Sequence, residues 1–302
     1  MQLVSVVVSC YNQKDYIVEC LDSILSQEVD FDYELIISDD CSTDGTREIL
    51  QTYSCIADPR INLLLRDVNV GAAANYHGLH NMVKGDVVFH FDGDDVMLPG
   101  KLQAQYDVFV EYADVNIVMH KAIYFSDDDK YQSETQFPGA SAKDLLFFSR
   151  SELARWGTIA VHGSYAYRRS SRKAKIDHEV MEWFFAMDSL MTGGRGVFLN
   201  KSYVKYRCNF ESTSYLSSKK GKIKAYNLYL ADLYGYFESN KDLQIDLYAN
   251  FLVTALAMCK SVRMLPASAV HFLFSNIKCF RPSVFIETFK VRRMIGPKQS
   301  IR

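Results

Sequence analysis

Between residues 87 and 95 an apolar, strand-like run, Val87-Val88-Phe89-His90-Phe91, leads straight into Asp92-Gly93-Asp94-Asp95. Carboxylates this close repel one another, and burial strengthens the repulsion, so a fold keeps them together by screening them with water or seating a cation among them. Their all-oxygen donor set suits the hard divalent ions Mg²⁺ and Mn²⁺, which leave coordination positions free for substrate phosphates. A lone acidic turn can simply be solvated. These acids, however, end a strand of buried type, at the edge where open α/β sheets hold their ligands.

A second acidic cluster, Ser38-Asp39-Asp40-Cys41-Ser42-Thr43-Asp44-Gly45-Thr46, ends an earlier strand. Thr43 or Asp44 can cap the next helix, with Gly45 relaxing the turn. Asp39 and Asp40 need another use, and a buried carboxylate there can accept the imide N–H of a uracil ring. The first strand ends in Ser9-Cys10-Tyr11-Asn12, which offers amides, a hydroxyl and an aromatic face to the same base. No GxGxxG follows that strand and no GxxxxGK[ST] loop occurs, so the phosphates of a bound nucleotide must be neutralised by a metal. Three strand ends of this kind describe a nucleotide-diphosphate pocket and point to nucleotide-sugars.

The elements that must position these residues alternate in type. Strands are predicted over Leu3–Ser9, Tyr33–Ser38, Ile61–Leu65 and from Gly85 to the acids. Helices are predicted over Tyr16–Gln27, Arg47–Tyr53, Ala72–Val83 and from Pro99, as first helical residue, to about Tyr112. That alternation predicts an α/β fold with a mostly parallel sheet flanked by helices. The pattern divides the chain into an alternating part (1–105), a less regular part (106–214) and a helical C-terminal region (215–302). In the second part Asp127-Asp128-Asp129 reads as a solvated turn, while His162, Arg168 and Arg169 read as a satisfied core histidine and a solvated basic pair, or alternatively as acceptor-loop residues.

With 302 residues, 48% hydrophobic and 23% charged, the chain is an ordinary globular one. The net charge of −2 averages over uneven regions, and no nucleic-acid partner is expected. The odd count of 7 cysteines, without zinc-type spacing, argues against a disulfide framework and for a reducing cytoplasm. Met1 runs directly into a strand, so no secretory leader is expected. The best candidate for a membrane span, Phe251 to Phe274, is broken by Lys260, Arg263 and His271. The tail from Asn276 to Arg302 joins Phe280, Phe285, Ile286, Phe289 and Ile295 to an almost purely basic set of charges. It is expected to dock on an anionic membrane surface, with a helical lid packed on the catalytic domain as the alternative.

The segments VSVVVSCYNQKDYIVECLDSILSQ (4–27), ELIISDDCSTDGT (34–46), NVGAAANYHGL (69–79) and GDVVFHFDGDDVMLPGKL (85–102) resemble, in order and spacing, the GT-A-fold inverting glycosyltransferases of the large family that builds bacterial surface polysaccharides. The resemblance makes residues 1–105 a nucleotide-sugar-binding half and residues 106–214 an acceptor and catalytic half. It implies that Ser9 and Tyr11 hold the base, that Asp40 binds uracil and that Asp94 is the ligand for Mn²⁺ or Mg²⁺. It places Asp92 near the ribose or donor sugar, puts Asn75 in the donor site and leaves Asp95 as a third acid without an assigned role. Two departures stand out: Ala74 replaces a basic residue common before Asn75, and the usual Glu-Asp pair supplying the general base is absent. Counting back from Gly193-Gly194 and the strand Val197–Leu199 puts Glu182 at the position of the base, with Asp188 as the alternative. Lys205-Tyr206-Arg207 and Ser212-Thr213-Ser214 resemble the segment that closes over the donor diphosphate, with Asn209 or Phe210 in place of its usual histidine. Arg207 is thereby a diphosphate-binding candidate, or else a structural ion-pair partner.

The implied activity is metal-dependent transfer, with inversion, from a UDP-sugar to a glycan or lipid-linked oligosaccharide. The enzyme is expected in the cytoplasm, peripheral at the inner face of the plasma membrane. A sugar-phosphate nucleotidyltransferase would need a glycine- and arginine-rich first loop in place of SCYNQKDY. A non-catalytic nucleotide- or glycan-binding relative would account for the missing pair.

Overall fold

The computed structural model describes residues 3–54, 58–127, 132–136, 144–173, 176, 178–208 and 218–294. Strand and helix alternate through β1 (Val4–Cys10), α1 (Ile17–Leu25), β2 (Tyr33–Asp39), α2 (Thr46–Ser54), β3 (Ile61–Leu65), α3 (Ala72–His80) and β4 (Val87–Asp92). The expected elements are thus present, with ends that differ by a few residues. A two-residue strand β5 (Val96–Met97) follows the acids and leads to α4 (Lys101–Glu111). Pro99 is not the first helical residue, because Gly100, at φ +82°, stands between it and the helix.

The less regular middle of the chain holds β6 (Val115–Phe125), β7 (Gln132–Glu134), β8 (Leu145–Phe148), α5 (Arg150–Trp156), β9 (Ala166–Arg168), α6 (Glu182–Met191) and β10 (Arg195–Arg207). The predicted strand Val197–Leu199 is only the start of β10. Register shifts against β6 between Leu199 and Val204 interrupt the period-2 pattern that would have revealed the rest. Four α-helices follow among the described residues: α7 (Lys219–Ser239), α8 (Gln244–Val262), α9 (Ala267–Ser275) and α10 (Pro282–Met294).

All the strands form one mixed sheet in the order β3-β2-β1-β4-β9-β6-β10-β5, with β7 beside β6 and β8 beside β10. The first four are parallel, β9 runs antiparallel between β4 and β6, and β10 is parallel to β6. Side-chain alternation along the strands builds a core on each face. Val6, Val8, Leu35, Ile37, Phe89 and Phe91 pack with Leu21 and Ile24 of α1 and Leu102 of α4. Val7, Ile36, Val88, Ile117 and Met119 face the other way, onto Leu79, Leu153, Trp183, Leu233, Phe251 and Val291.

The C-terminal helices therefore complete the core of this second face. The apolar stretch from Phe251 to Phe274 is divided between α8 and α9. The segment Lys241–Val262 has the length of a membrane span, and an 18-residue stretch of it has the mean hydropathy (1.3) of one, yet 61% of that stretch is buried inside the protein. Helix α10 packs through Thr288 and Val291, while Ile286 and Phe289 on another side stay exposed. Residues 295–302, including Ile295, lie outside the described residues.

Candidate active site

Parallel register sets Ser9 opposite both Ser38 and Asp92, so the carboxyl ends of β1, β2 and β4 finish side by side. A cavity of about 450 Å³ opens there, lined by Ser9, Tyr11, Asp40, Asn75, Asp92, Asp94 and Arg207 among others. Seven donor-side candidates thus meet at one opening, while Asp39 does not line it.

The two acids at the end of β2 divide their work. Asp39 is fully buried, and its carboxylate accepts from the Ser42 hydroxyl, the Ser42 amide and the Cys10 thiol, which fixes the turn. Asp40 faces the cavity and accepts the amides of Val70 (2.8 Å) and Gly71 (2.9 Å), tying the entry to α3 against β2. Each carboxylate oxygen retains a lone pair for a ligand N–H. Asn75 Oδ1 accepts from the Ser38 hydroxyl (2.6 Å) and from Arg66 Nε (2.7 Å). A basic group does therefore stand beside Asn75, delivered from beyond β3 rather than from position 74. Sequence spacing hid it.

Asp92 sits at the head of a hydrogen-bonded chain. Its Oδ1 is 3.2 Å from His90 Nε2; His90 Nδ1 is 3.0 Å from His80 Nε2; His80 Nδ1 is 2.6 Å from the Tyr167 hydroxyl. One set of neutral tautomers satisfies every partner, each group donating toward Asp92. Burial raises the Asp92 pKa, but the His90 hydrogen bond, the fields of His90 and His162, and the Ser9 hydroxyl outweigh it and hold it below the usual carboxylate range. Asp94 goes the other way, pushed up to about 6 by burial and then by the charge of Asp92.

Asp95 is fully enclosed, and burial, then Asp94 and Asp92, raise it. Its Oδ1 accepts the Arg207 amide at 2.9 Å, which joins the acidic turn to the end of β10. Lys101 lies buried behind the turn, over the Phe89 and Phe91 rings, and burial lowers its pKa to about 7 against the pull of Asp95. The protein's own cations thus provide part of the positive charge that the acidic run requires.

Arg207 is both structural and cavity-lining. Its guanidinium pairs with Glu19 (2.8 Å) and Asp127 and donates to the Asp94 carbonyl at 2.8 Å. Asp127 is therefore an ion-pair partner and not simply a solvated acid; Asp128 and Asp129 lie outside the described residues, as do Asn209, Phe210 and Ser212–Ser214. His162 is not a satisfied core histidine: it stacks on His90 at 4.0 Å, and its buried Nε2 has no hydrogen-bond partner among the described residues. Arg168 is no solvated cation either, since it donates to the carbonyls of Val115 (2.8 Å) and Phe109 (2.7 Å), while Arg169 is exposed.

Two donor sets suit a metal ion. Asp92 and Asp94 present carboxylate oxygen to the cavity, a set fitted to Mg²⁺ or Mn²⁺, and the raised Asp94 pKa marks a place where a positive charge is wanted. His90, Asp92 and His162 also offer ligand atoms within 4.8 Å of one another. Both nitrogens of His90 are already engaged, however, so the oxygen set fits the expected ion better.

Glu182 is the first residue of α6, half-buried, with its pKa pushed up to about 8 by burial and then by the charge of Asp92. Asp188 lies two turns further along, where it accepts the Lys173 amide at 2.9 Å and lines a separate cavity with Arg172 and Tyr76.

The model of the glycosyl transferase family 2 domain matches residues 5–174. The chain belongs to glycosyltransferase family 2. It is 30% identical over 206 residues to an uncharacterized protein of Mycobacterium tuberculosis, covering 67% of this chain and 58% of that one. It is 41% identical over 109 residues to the putative teichuronic acid biosynthesis glycosyltransferase TuaG of Bacillus subtilis, covering 36% and 42% of the two. The chain thus spans about half the length of these relatives. Crystal structures of Staphylococcus aureus TarS share its fold; the one in complex with UDP-GlcNAc has a TM-score of 0.67 and 16% identity, over 97% of this chain and 91% of that one. The architecture is the GT-A α/β fold, with a helical C-terminal region.

Proposed function

We propose that this family 2 protein is an inverting, metal-dependent glycosyltransferase that moves a sugar from a UDP-sugar to a glycan carried on a lipid. In this reading it works in surface-polysaccharide synthesis, peripheral on the inner face of the plasma membrane. The observation that carries the reading is the convergence of Ser9, Tyr11, Asp40, Asn75, Asp92, Asp94 and Arg207 on one cavity at three strand ends.

Asp40 and the Ser9–Tyr11 strand end receive the uracil ring, and Asn75 and Asp92 the ribose and sugar. Arg207, on the wall of the same cavity, adds positive field beside the diphosphate. An Mn²⁺ or Mg²⁺ ion, when held by Asp94 with Asp92, supplies charge against the leaving diphosphate. Glu182 accepts the proton of the acceptor hydroxyl as its oxygen bonds to the anomeric carbon. The bond from that carbon to the diphosphate oxygen breaks on the opposite side, and its electron pair leaves with UDP. A carboxylate lifted to about 8 is a competent base because it holds the proton more firmly than an ordinary glutamate.

Release of UDP from a panel of UDP-sugars, with Mn²⁺ and a glycan acceptor, tests the reading. One donor should turn over and stop turning over in excess EDTA. Full activity in EDTA removes the metal; no binding of UDP removes the donor assignment.

A further inference from the structure

A further cavity, of about 780 Å³, lies between α8, α10 and the Thr158–Ala160 loop. Its α8 wall is Val253, Leu256, Ala257 and Lys260, spaced as one helical face, and its α10 wall is Phe289, Arg292 and Arg293, again one face. Leu256 is 47% and Phe289 41% exposed, and Ile286, one turn before Phe289, is 50% exposed. The cavity is apolar between the helices and cationic toward their ends.

Lysine and arginine favour helix C-termini, which accounts for charge at the ends of α8 and α10. That preference does not explain why exposed Leu256 and Phe289 lie between the charges. Nor are the charges neutralised internally, although Arg292 Nη1 also donates to the Tyr229 hydroxyl at 3.4 Å. Among the described residues none of Lys260, Arg292 and Arg293 has a carboxylate partner, and the acid of α10, Glu287, is taken by Arg155 (2.6 Å) and Trp156 (3.0 Å). Gly157, at φ +77°, clears the space that the Arg292 guanidinium occupies.

This cavity is also next to the donor site. Tyr124 lines it, Tyr206 lines the nucleotide cavity, and the two rings meet edge to face at 5.5 Å.

We infer that this cavity binds the phosphate-bearing end of a lipid, the apolar chain lying on Leu256 and Phe289 and the phosphate held by Lys260, Arg292 and Arg293. The inference rests on the transferase reading for its purpose, since it assigns the seat of the lipid-linked acceptor, but not for its test. Calorimetric titration of the full chain with dodecyl phosphate, dodecyl maltoside and inorganic phosphate, each below any micelle threshold, reads binding alone. Dodecyl phosphate should bind at least tenfold more tightly than either of the others. Lys260→Gln with Arg293→Gln, both at exposed positions, should weaken it by about 30-fold and leave UDP binding unchanged. Leu256→Asp, which sets a carboxylate among the cations, should abolish it. Equal binding of the maltoside, or indifference to these variants, overturns the inference. Inorganic phosphate binding as tightly as dodecyl phosphate overturns the lipid and leaves a free-phosphate site. Because binding is the readout, these results stand whether or not any donor turns over.

Discussion

The carboxylates of the site differ most in what each is asked to neutralise. Asp92 is supplied with donors by His90 and Ser9, whereas Asp94 is left facing the charge of Asp92. Its raised folded pKa means that the folded state binds the extra proton, so stability falls as pH climbs from the ordinary carboxylate value toward about 6. Asp94→Asn should therefore melt higher than the wild type at pH 7 without metal. Mn²⁺ should raise the melting temperature of the wild type and not of the variant, and transfer should drop by roughly 10²–10³-fold. An equal Mn²⁺ response in both proteins would move the metal elsewhere. Glu182 obeys the same sign: its folded pKa of about 8 makes stability decline between the unfolded glutamate value and about pH 8. Glu182→Gln should flatten that decline, seen by comparing melting at pH 5 and pH 8.5, while kcat falls by about 10²–10⁴ and UDP affinity holds. In the wild type kcat should rise with pH, because only the deprotonated carboxylate accepts the proton. A crippling Asp188→Asn with a mild Glu182→Gln would show that the base sits lower on the helix.

At the scale of elements, α6 is held at its start by a partner from another part of the chain. The Met181 amide, just before Glu182, donates to Asp232 Oδ2 on α7 at 2.8 Å. Asp232 is itself raised to about 7, chiefly by burial, so it serves as an enclosed acceptor rather than an ion-pair partner in water. Removing that acceptor should let the first turn of α6 drift and displace the Glu182 carboxylate, the proposed base. Asp232→Ala is expected to lower kcat by roughly 10- to 100-fold with donor KM unchanged. Asp232→Asn, which keeps an accepting oxygen, should restore most of it. Steady-state kinetics decide this: a loss carried in donor KM would mean that α7 shapes the nucleotide cavity instead. The same element logic explains Asp95, which looked like a spare acid and in fact anchors the end of β10 beside the site.

For the whole molecule, the main consequence is that the C-terminal helices close the core over one face of the sheet. Val291 of α10 belongs to the same apolar cluster as Val7 of β1 and Val88 of β4. Removing residues 282–302 should then strip Val291 and Thr288 from the core and leave Arg155 without Glu287, lowering the melting temperature by roughly 5 °C or more. An unchanged melting temperature would make α10 a detachable appendage. Helix α10 buries one side and exposes Ile286 and Phe289 on another.

The sequence by itself determined the alternating strands and helices of the first hundred residues and the acids at their ends. Those features depend on local periodicity and turn chemistry, and the register of a parallel sheet then forces the strand ends together. Long strands such as β10 stayed hidden because bulges break that periodicity. Only the tertiary structure decided which groups from distant segments meet. It brought Arg66 to Asn75, His80 and Tyr167 to the chain behind Asp92, Asp95 to Arg207, and Asp232 to the start of α6. It also set Lys260, read in the sequence as a break in an apolar span, across from Arg293 of the basic tail. Such meetings have no local signature, because packing, not spacing along the chain, sets the distance between side chains on different elements.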